Sequence, residues 1–303
     1  MNTLLRVQQF LSSALATKLS LLRIFLQSKL KGIVSKHASD KPLLILGNGP
    51  SLNATLAENP LERLAHFDLL AVNNAANAEL FTQLRPSFYL LNAVTYFQSD
   101  EDLNSYYIEQ NKVLYTNLKQ KTSWPMTLLL PFRAKRCPAI ASLLKSNTNL
   151  RASYFNQTPI EGLPFWTKYG YRWGWGMPRP HNVLIPSIMV GARMGYKKIA
   201  IVGADHSWLS DLVVNEKNES LLRHVHFYDV EGTQPMKVED RINRPRRLHE
   251  ILHKFYLSFK GYWQIKTFAK SEGIVVYNAS KVSMIDAFER KSLAEIVETD
   301  SDI

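Results

Sequence analysis

Five short apolar runs, each followed by small polar residues, constrain this chain more than any other feature. They are Leu43–Leu46, 67–72 (FDLLAV), 87–92 (SFYLLN), Lys198–Val202 and 274–277 (IVVY), with weaker candidates at 113–115 and 126–130. Continuous apolar runs of this length mark strands buried on both faces, as in a parallel sheet. Helical patterns lie between them, at 186–194 and over Leu248–Ser271, where Tyr256, Phe259, Trp263 and Phe268 suggest one apolar stripe. Strands alternating with helices predict an α/β fold: a Rossmann-like, doubly wound, mainly parallel sheet. Ligands of such sheets bind beyond the carboxyl ends of the strands. The residues there are Gly47, Asn48 and Gly49; Asn73 and Asn74; Asn92; Gly203, Ala204, Asp205 and His206; and Asn278, Ala279 and Ser280. They are expected to line one cleft.

At 303 residues and 46% hydrophobic, the chain can bury one large core, which sets disorder aside. The single cysteine, Cys137, excludes an internal disulfide framework and a multi-thiolate zinc site, and suits a reducing, cytosolic setting. The 37 Lys and Arg against 26 Asp and Glu leave a net charge of +11, which favours anionic partners. More than half of that excess lies before residue 40: Arg6, Lys18, Arg23, Lys29, Lys31 and Lys36, with no acid.

Residues 1–40 therefore read as a basic amphipathic helix attached to a domain of 41–303. Polar residues interrupt every stretch long enough to span a bilayer. An interfacial anchor on the anionic cytoplasmic leaflet is the favoured expectation. A helix packed on protein and a cleaved signal peptide are the alternatives.

The segment GNGPSL (47–52) lacks the third glycine of a dinucleotide fingerprint and the Gly-Lys-Ser/Thr of a phosphate loop. It reads as a tight turn whose small residues let a nucleotide approach the backbone, with Pro50 and Ser51 starting a helix. A plain strand-to-helix turn is the alternative. Asp100-Glu101-Asp102 contains a D-x-D of the kind that holds a divalent cation on a diphosphate. Acids also favour a helix start through its dipole alone, so no metal site is assigned. Residues 165–175 carry six aromatics, including Trp166, Trp173 and Trp175. They suggest a lid around 160–180 that stacks on an acceptor sugar, against a nucleic-acid stacking platform or a loop burying its own rings.

GNGPSL, Asn73-Asn74, Asn92 and Gly195-Tyr196-Lys197-Lys198-Ile199 followed by Gly203-Ala204-Asp205 together resemble the bacterial sialyltransferase family of lipooligosaccharide synthesis. More distantly, the chain is similar to proteins grouped with 6-hydroxymethylpterin diphosphokinases. The resemblance spans about residues 43–288 in separated islands. It implies an inverting glycosyltransferase that moves sialic acid, or a related 2-keto sugar such as Kdo, from a CMP-sugar to a cell-surface glycan. No obligatory metal or other cofactor is implied. The partners would be the CMP-sugar donor, a saccharide or lipid-linked saccharide acceptor and an anionic membrane surface, with homo-oligomers among the related enzymes and no nucleic acid. The implied place is cytoplasmic, peripheral on the inner face of the inner membrane.

By position, the resemblance gives Gly47, Asn48, Gly49, Ser51, Asn73, Asn74, Asn92, Asn182, Gly203, His206, Asn278 and Ser280 to the donor, and matches Asp205 to the strand-end acid. Two tyrosines after that acid steady the leaving phosphate in the family. This chain has His206, Ser207 and Trp208 there, and Arg241, Arg244, Arg246 or Arg247 would take over electrostatically. Transfer needs a base for the acceptor hydroxyl. His226 is preferred, oriented by Tyr228 or Asp229, with His224 and His249 as further candidates. Two rivals remain: a pterin or nucleotide diphosphokinase, which would need Mg²⁺ on clustered carboxylates, and a non-enzymatic peripheral membrane or nucleic-acid-binding protein.

Overall fold

The computed structural model describes residues 3–31, 33–222, 236–237 and 244–301. The strands are β1 (Leu43–Leu46), β2 (Asp68–Val72), β3 (Phe88–Leu90), β4 (Met126–Pro131), β5 (Leu150–Phe155), β6 (Lys198–Val202), β7 (Leu212–Val214), β8 (Ser220–Leu222), β9 (Met236–Lys237), β10 (Val275–Asn278) and β11 (Glu289–Arg290). The helices are α1 (Thr3–Gln27), α2 (Ser51–Ala57), α3 (Leu61–Leu64), α4 (Leu80–Leu84), α5 (Ser105–Lys121), α6 (Pro138–Ser146), α7 (Pro164–Arg172), α8 (Leu184–Met194), α9 (Leu248–Ser271) and α10 (Leu293–Ser301).

Eight strands form one sheet in the order β11-β10-β6-β1-β2-β3-β4-β5, and every pairing is parallel. Strand order runs outward from β1 in both directions, so the expected doubly wound, Rossmann-like sheet is what the chain forms. The reversal point lies between β1 and β6, where loops diverge and leave a crevice. A small antiparallel sheet, β7-β8-β9, follows β6.

Strand alternation sorts the core into two layers. Leu43, Ile45, Ile199 and Ile201 pack on one face with Ile185, Ile188, Tyr262 and Ile265 of α8 and α9. Leu44, Leu46, Ala200 and Val202 face the other way, onto Leu52, Leu64, Leu293 and Ile296. Farther along the second face, Leu128 and Leu130 meet Leu114, Leu118 and Ile140. Each such side chain removed from water contributes about 1.5–3 kcal/mol before entropic costs.

Three expectations change. Residues 113–115 are helical, inside α5. Leu114 and Leu118 are buried one turn apart, and Asn104 caps the helix by accepting from Tyr107 N at 3.1 Å; helical periodicity outweighs three β-prone residues. Strand β5 was not anticipated, because Arg151 and Ser153 break its apolar run. At the sheet edge only the end residues Leu150 and Phe155 are buried and the four between them are partly covered or exposed, so a continuous apolar run is not required. In α9 the inward stripe is Ile251, Phe255, Ser258, Tyr262, Ile265 and Phe268. Tyr256 and Trp263 are exposed, under Lys260 and Lys266 respectively, and Trp263 Nε1 donates to Asp286 Oδ1 at 3.1 Å.

The N-terminal helix ends at Gln27. The chain then runs along the free edge of β5, where Val34 N donates to Tyr154 O at 2.7 Å. Among the described residues, no helix is long and apolar enough to cross a membrane.

Candidate active site

The site is built where the loops after β1 and β6 cross. Gly47 N donates to Val202 O and Gly49 N to Gly203 O, both at 2.8 Å. A Cβ on Gly47 would stand 2.5 Å from Gly203 O, and one on Gly49 1.8 Å from Asp205 Oδ2. Contact between protein strands therefore accounts for these glycines without a ligand. Gly47 lies under the crossing, while Asn48, Gly49 and Gly203 reach the cleft.

Asp205 locks the crossing. Its Oδ1 accepts from Ser51 N at 3.1 Å and its Oδ2 from Ser51 Oγ at 2.9 Å. Pro50 supplies no side-chain cap for α2, so the carboxylate from the loop after β6 takes that part. Burial raises the Asp205 pKa, against the opposing effect of the Ser51 bonds. With both oxygens engaged by Ser51, Asp205 positions the loops, and Ser51 is buried beneath the cleft surface.

Above the crossing lie two adjoining chambers, of about 260 and about 840 Å³. The first spans Asn48, Gly203, Asp205, His206, Trp208 and Arg246; the second opens over Asn92, Arg133, Gln157 and Arg179. Asn73, His181, Asn182, Val183 and Lys254 line both, so they mark the junction. Buried polar atoms without a partner gather here: Asn48 Oδ1, Asn73 Oδ1, Gln157 Oε1, His181 Nε2 and Asn182 Nδ2. Folded proteins rarely leave such atoms unmet, so their convergence on one cleft is the signature of a ligand site.

The Asn182 amide is oriented by its neighbours. Its Oδ1 accepts from Leu184 N at 3.0 Å and Ile185 N at 3.2 Å, capping α8, and from Tyr262 Oη at 3.0 Å. That leaves Nδ2 as a buried donor without a partner, on a residue that lines both chambers. Because the Tyr262 proton goes to Asn182, the 2.5 Å bond between Tyr262 Oη and His206 Nε2 requires the proton on Nε2. His206 stacks on Trp208 with ring centroids 4.1 Å apart, and burial pushes its pKa down to about 3. It is a neutral, rigid part of the first chamber's wall.

His181 has a freer role. Burial first, then the positive charges of Lys254 and Arg179, push its pKa down to about 4. Its imidazole is therefore neutral at physiological pH, with Nε2 unpaired at the junction. Burial, and then the charge of Arg246, holds Lys254 below the ordinary lysine range. Its positive charge is the largest of those acting on His181. Arg179 forms a bidentate pair with Glu161, both contacts at 2.7 Å.

Of the expected donor residues, the cleft gathers Asn48, Gly49, Asn73, Asn92, Asn182, Gly203 and His206. Asn92 is tied by Gln157 Nε2 and lines only the second chamber. Asn74 lies outside the lining, its Oδ1 accepting from Tyr96 Oη at 3.0 Å. Asn278 and Ser280 shape a separate depression beside β10. There Asn278 Nδ2 donates to Ser283 Oγ at 2.9 Å, and Ser280 Oγ accepts from Ala204 N at 3.0 Å.

Arg246 lines the cleft, whereas Arg244 pairs with Glu250 at 2.8 Å and His249 is exposed on the first turn of α9. His224, His226, Tyr228, Asp229 and Arg241 lie outside the described residues. The aromatic stretch is mostly the helix α7, and the last residue of the stretch, Trp175, meets the segment that follows α1. Ser28 Oγ bonds Trp175 O at 2.6 Å, Trp166 and Trp175 pack on the core, and Trp173 is exposed. None of the three tryptophans lines either chamber. Proline and glycine at its ends suggested a lid, but the intervening residues complete two helical turns, with Tyr171 edge-on to Phe268 of α9 and Arg172 paired with Glu272.

Asp100–Asp102 form an exposed turn, with Ser99 Oγ donating to Asp102 at 2.8 Å. Among the described residues, no three His, Cys, Asp or Glu are grouped to hold a metal. Sequence reasoning missed His181, Gln157, Lys254 and Tyr262. The signal for His181 was a polar pair, His181-Asn182, wedged between Pro180 and the start of a helix.

No protein-family model matches the chain, and neither does any curated protein. Among solved structures, the chain is similar to the MAf glycosyltransferase of Magnetospirillum magneticum AMB-1, at 9% identity and a TM-score of 0.44. The likeness covers 92% of this chain and 40% of that one, so the chain spans less than half of that protein's length.

Proposed function

We propose that the chain is an inverting glycosyltransferase that takes sugar from a CMP-activated donor without an obligatory metal. Two chambers that meet at one neutral histidine with an unpaired nitrogen carry this reading. Group transfer needs two substrates held so that their reacting atoms touch. The smaller chamber, at the sheet's reversal point, suits the nucleotide; the larger, polar one suits a saccharide. The CMP donor and its 2-keto sugar come from the sequence resemblance alone.

In this scheme Asn48 and Asn73 hold the nucleotide, and Asn182 Nδ2 donates to the donor sugar. The acceptor hydroxyl attacks the anomeric carbon as the bond to the phosphate oxygen breaks. His181 Nε2 takes the hydroxyl proton, and Lys254 with Arg246 balances the charge left on CMP. Arrival of the anionic donor offsets the part of the His181 shift that comes from the neighbouring cations and so raises its pKa, while burial, the larger cause, stays.

A diphosphokinase fits less well. The carboxylates of the described cleft are Asp205, engaged by Ser51, and Asp211, which accepts from Ser207 Oγ at 3.1 Å. That donor set does not form the paired-carboxylate clamp that Mg²⁺ favours.

Thermal unfolding against CMP, UDP, GDP and ATP, with EDTA or Mg²⁺, tests the assignment. CMP at a hundred times its Kd should add about 2.7 kcal/mol to stability in EDTA. A shift confined to UDP or GDP with metal would discard the donor, and one confined to ATP with Mg²⁺ would favour the kinase.

A further inference from the structure

Helix α1 is mounted with its leucines outward. Its inner seam joins one core residue, Ile24, to polar contacts: Ser20, fully buried, exchanges two 2.8 Å bonds with the backbone of Glu161. Thr17 Oγ1 accepts from Leu163 N at 2.9 Å, and Arg23 pairs with Glu161 at 3.0 Å. On the opposite side Leu4, Leu11, Leu15, Leu22 and Leu26 recur at spacings of 7, 4, 7 and 4 residues, the repeat of a single helix face. Their exposures are 78, 62, 60, 55 and 67%, and neighbouring Phe25 is 84% exposed. The strip is about 33 Å long, from 22 residue steps. A contiguous apolar surface of this size marks an interaction site.

Charge selects the occupant. Lys18 lies on α1 and Lys29 two residues past its end, both exposed, and residues 1–39 contain six basic side chains and no acid. A second copy of α1 packed face to face would enclose lysines from both chains without a counter-charge, which interface cores avoid. An anionic bilayer accepts both features. The leucines enter the acyl boundary, while the lysine stems extend their ammonium groups to lipid phosphates.

We propose that the outward face of α1 docks on an anionic lipid bilayer, lying in the interface plane. Gln27, its last residue, also lines the larger chamber. The lipid surface then lies about one helix diameter, about 10 Å, from that chamber's rim. Docking rests on α1 alone and does not depend on the transferase assignment.

The test is co-sedimentation of the full chain with vesicles of phosphatidylcholine, with and without about a third phosphatidylglycerol. Binding to the anionic vesicles is expected, weakened by salt. It should fall at least about tenfold in the Leu15→Glu, Leu22→Glu double variant and in Lys18→Glu, Lys29→Glu. Thermal unfolding of both variants should match the parent, since all four positions are exposed. Absence of vesicle binding by the parent, or binding unchanged in the leucine variant, overturns the proposal. So does a dimer seen by light scattering that dissociates in the leucine variant, because a second copy would then cover the face.

Discussion

Ser51 and Asp205 are 154 residues apart and joined by two hydrogen bonds, Ser51 N to Oδ1 at 3.1 Å and Ser51 Oγ to Oδ2 at 2.9 Å. The pair pins the loop after β1 to the loop after β6, so the floor of the cleft is assembled before any ligand arrives. Asp205→Asn leaves one Ser51 donor facing an amide donor and should cost about 1–3 kcal/mol in urea unfolding. Ser51→Ala should cost about 1 kcal/mol, and the double variant little more than Asp205→Asn. Strict additivity would show that the two residues do not act together.

His181 is assigned the proton transfer. His181→Gln should lower kcat by about 10²–10⁴-fold while nucleotide affinity stays within a few-fold. Since the base must be unprotonated, the parent loses kcat/KM as pH falls through the free-enzyme value of about 4. The acid limb of kcat should lie at higher pH, because bound donor offsets the cations around the ring. Both limbs should be absent from the variant; an unchanged profile would assign the base elsewhere.

Lys254 links the two chambers electrostatically. Lys254→Met keeps the aliphatic stem and removes the charge, and donor affinity should fall at least about tenfold, with Lys254→Arg recovering part of it. Its charge is also one of the causes of the low His181 pKa. The acid limb of kcat/KM in Lys254→Met should therefore move to higher pH, a shift that lost packing alone would not produce.

His206 sets a pH dependence of stability. Its native pKa is about 3 against about 6.5 unfolded, so between those values the unfolded chain binds a proton that the native chain refuses. Stability is unaffected above about pH 6.5 and declines as pH falls toward about 3. His206→Asn tolerates the left-handed backbone, where φ is 52°. It should lower stability at neutral pH through loss of the Tyr262 bond and the Trp208 stack. Between about pH 7.5 and about pH 5 it should flatten the decline in urea midpoint. An equally steep decline would exclude His206 as a source.

The parallel sheet was legible because its central strands are buried on both faces, which leaves runs such as Leu43–Leu46 with no polar position. Strand β5 lies at the edge and carries Arg151 and Ser153, so no such run marks it. The crevice was legible for the same topological reason: residues after consecutive strands must converge, as Asn48, Asn73 and Gly203 do. Asn278 and Ser280 obey the rule but serve a neighbouring depression, because β10 lies one strand beyond the reversal point. His181 and Lys254 were hidden because neither follows a strand. One precedes α8 and the other lies on α9, and only packing brings them together. Orientation was least legible, since the leucine periodicity of α1 is that of a buried stripe, and three-dimensional contacts alone reveal that its serine-threonine seam faces the domain.

The central claim, sugar transfer from a CMP donor with His181 as base, is tested most directly by CMP release from a CMP-activated 2-keto sugar in EDTA. The account predicts release by the parent, stimulation by a saccharide acceptor, and a fall of at least about a hundredfold in His181→Gln. No release from any CMP-sugar, or release undiminished in His181→Gln, would contradict it.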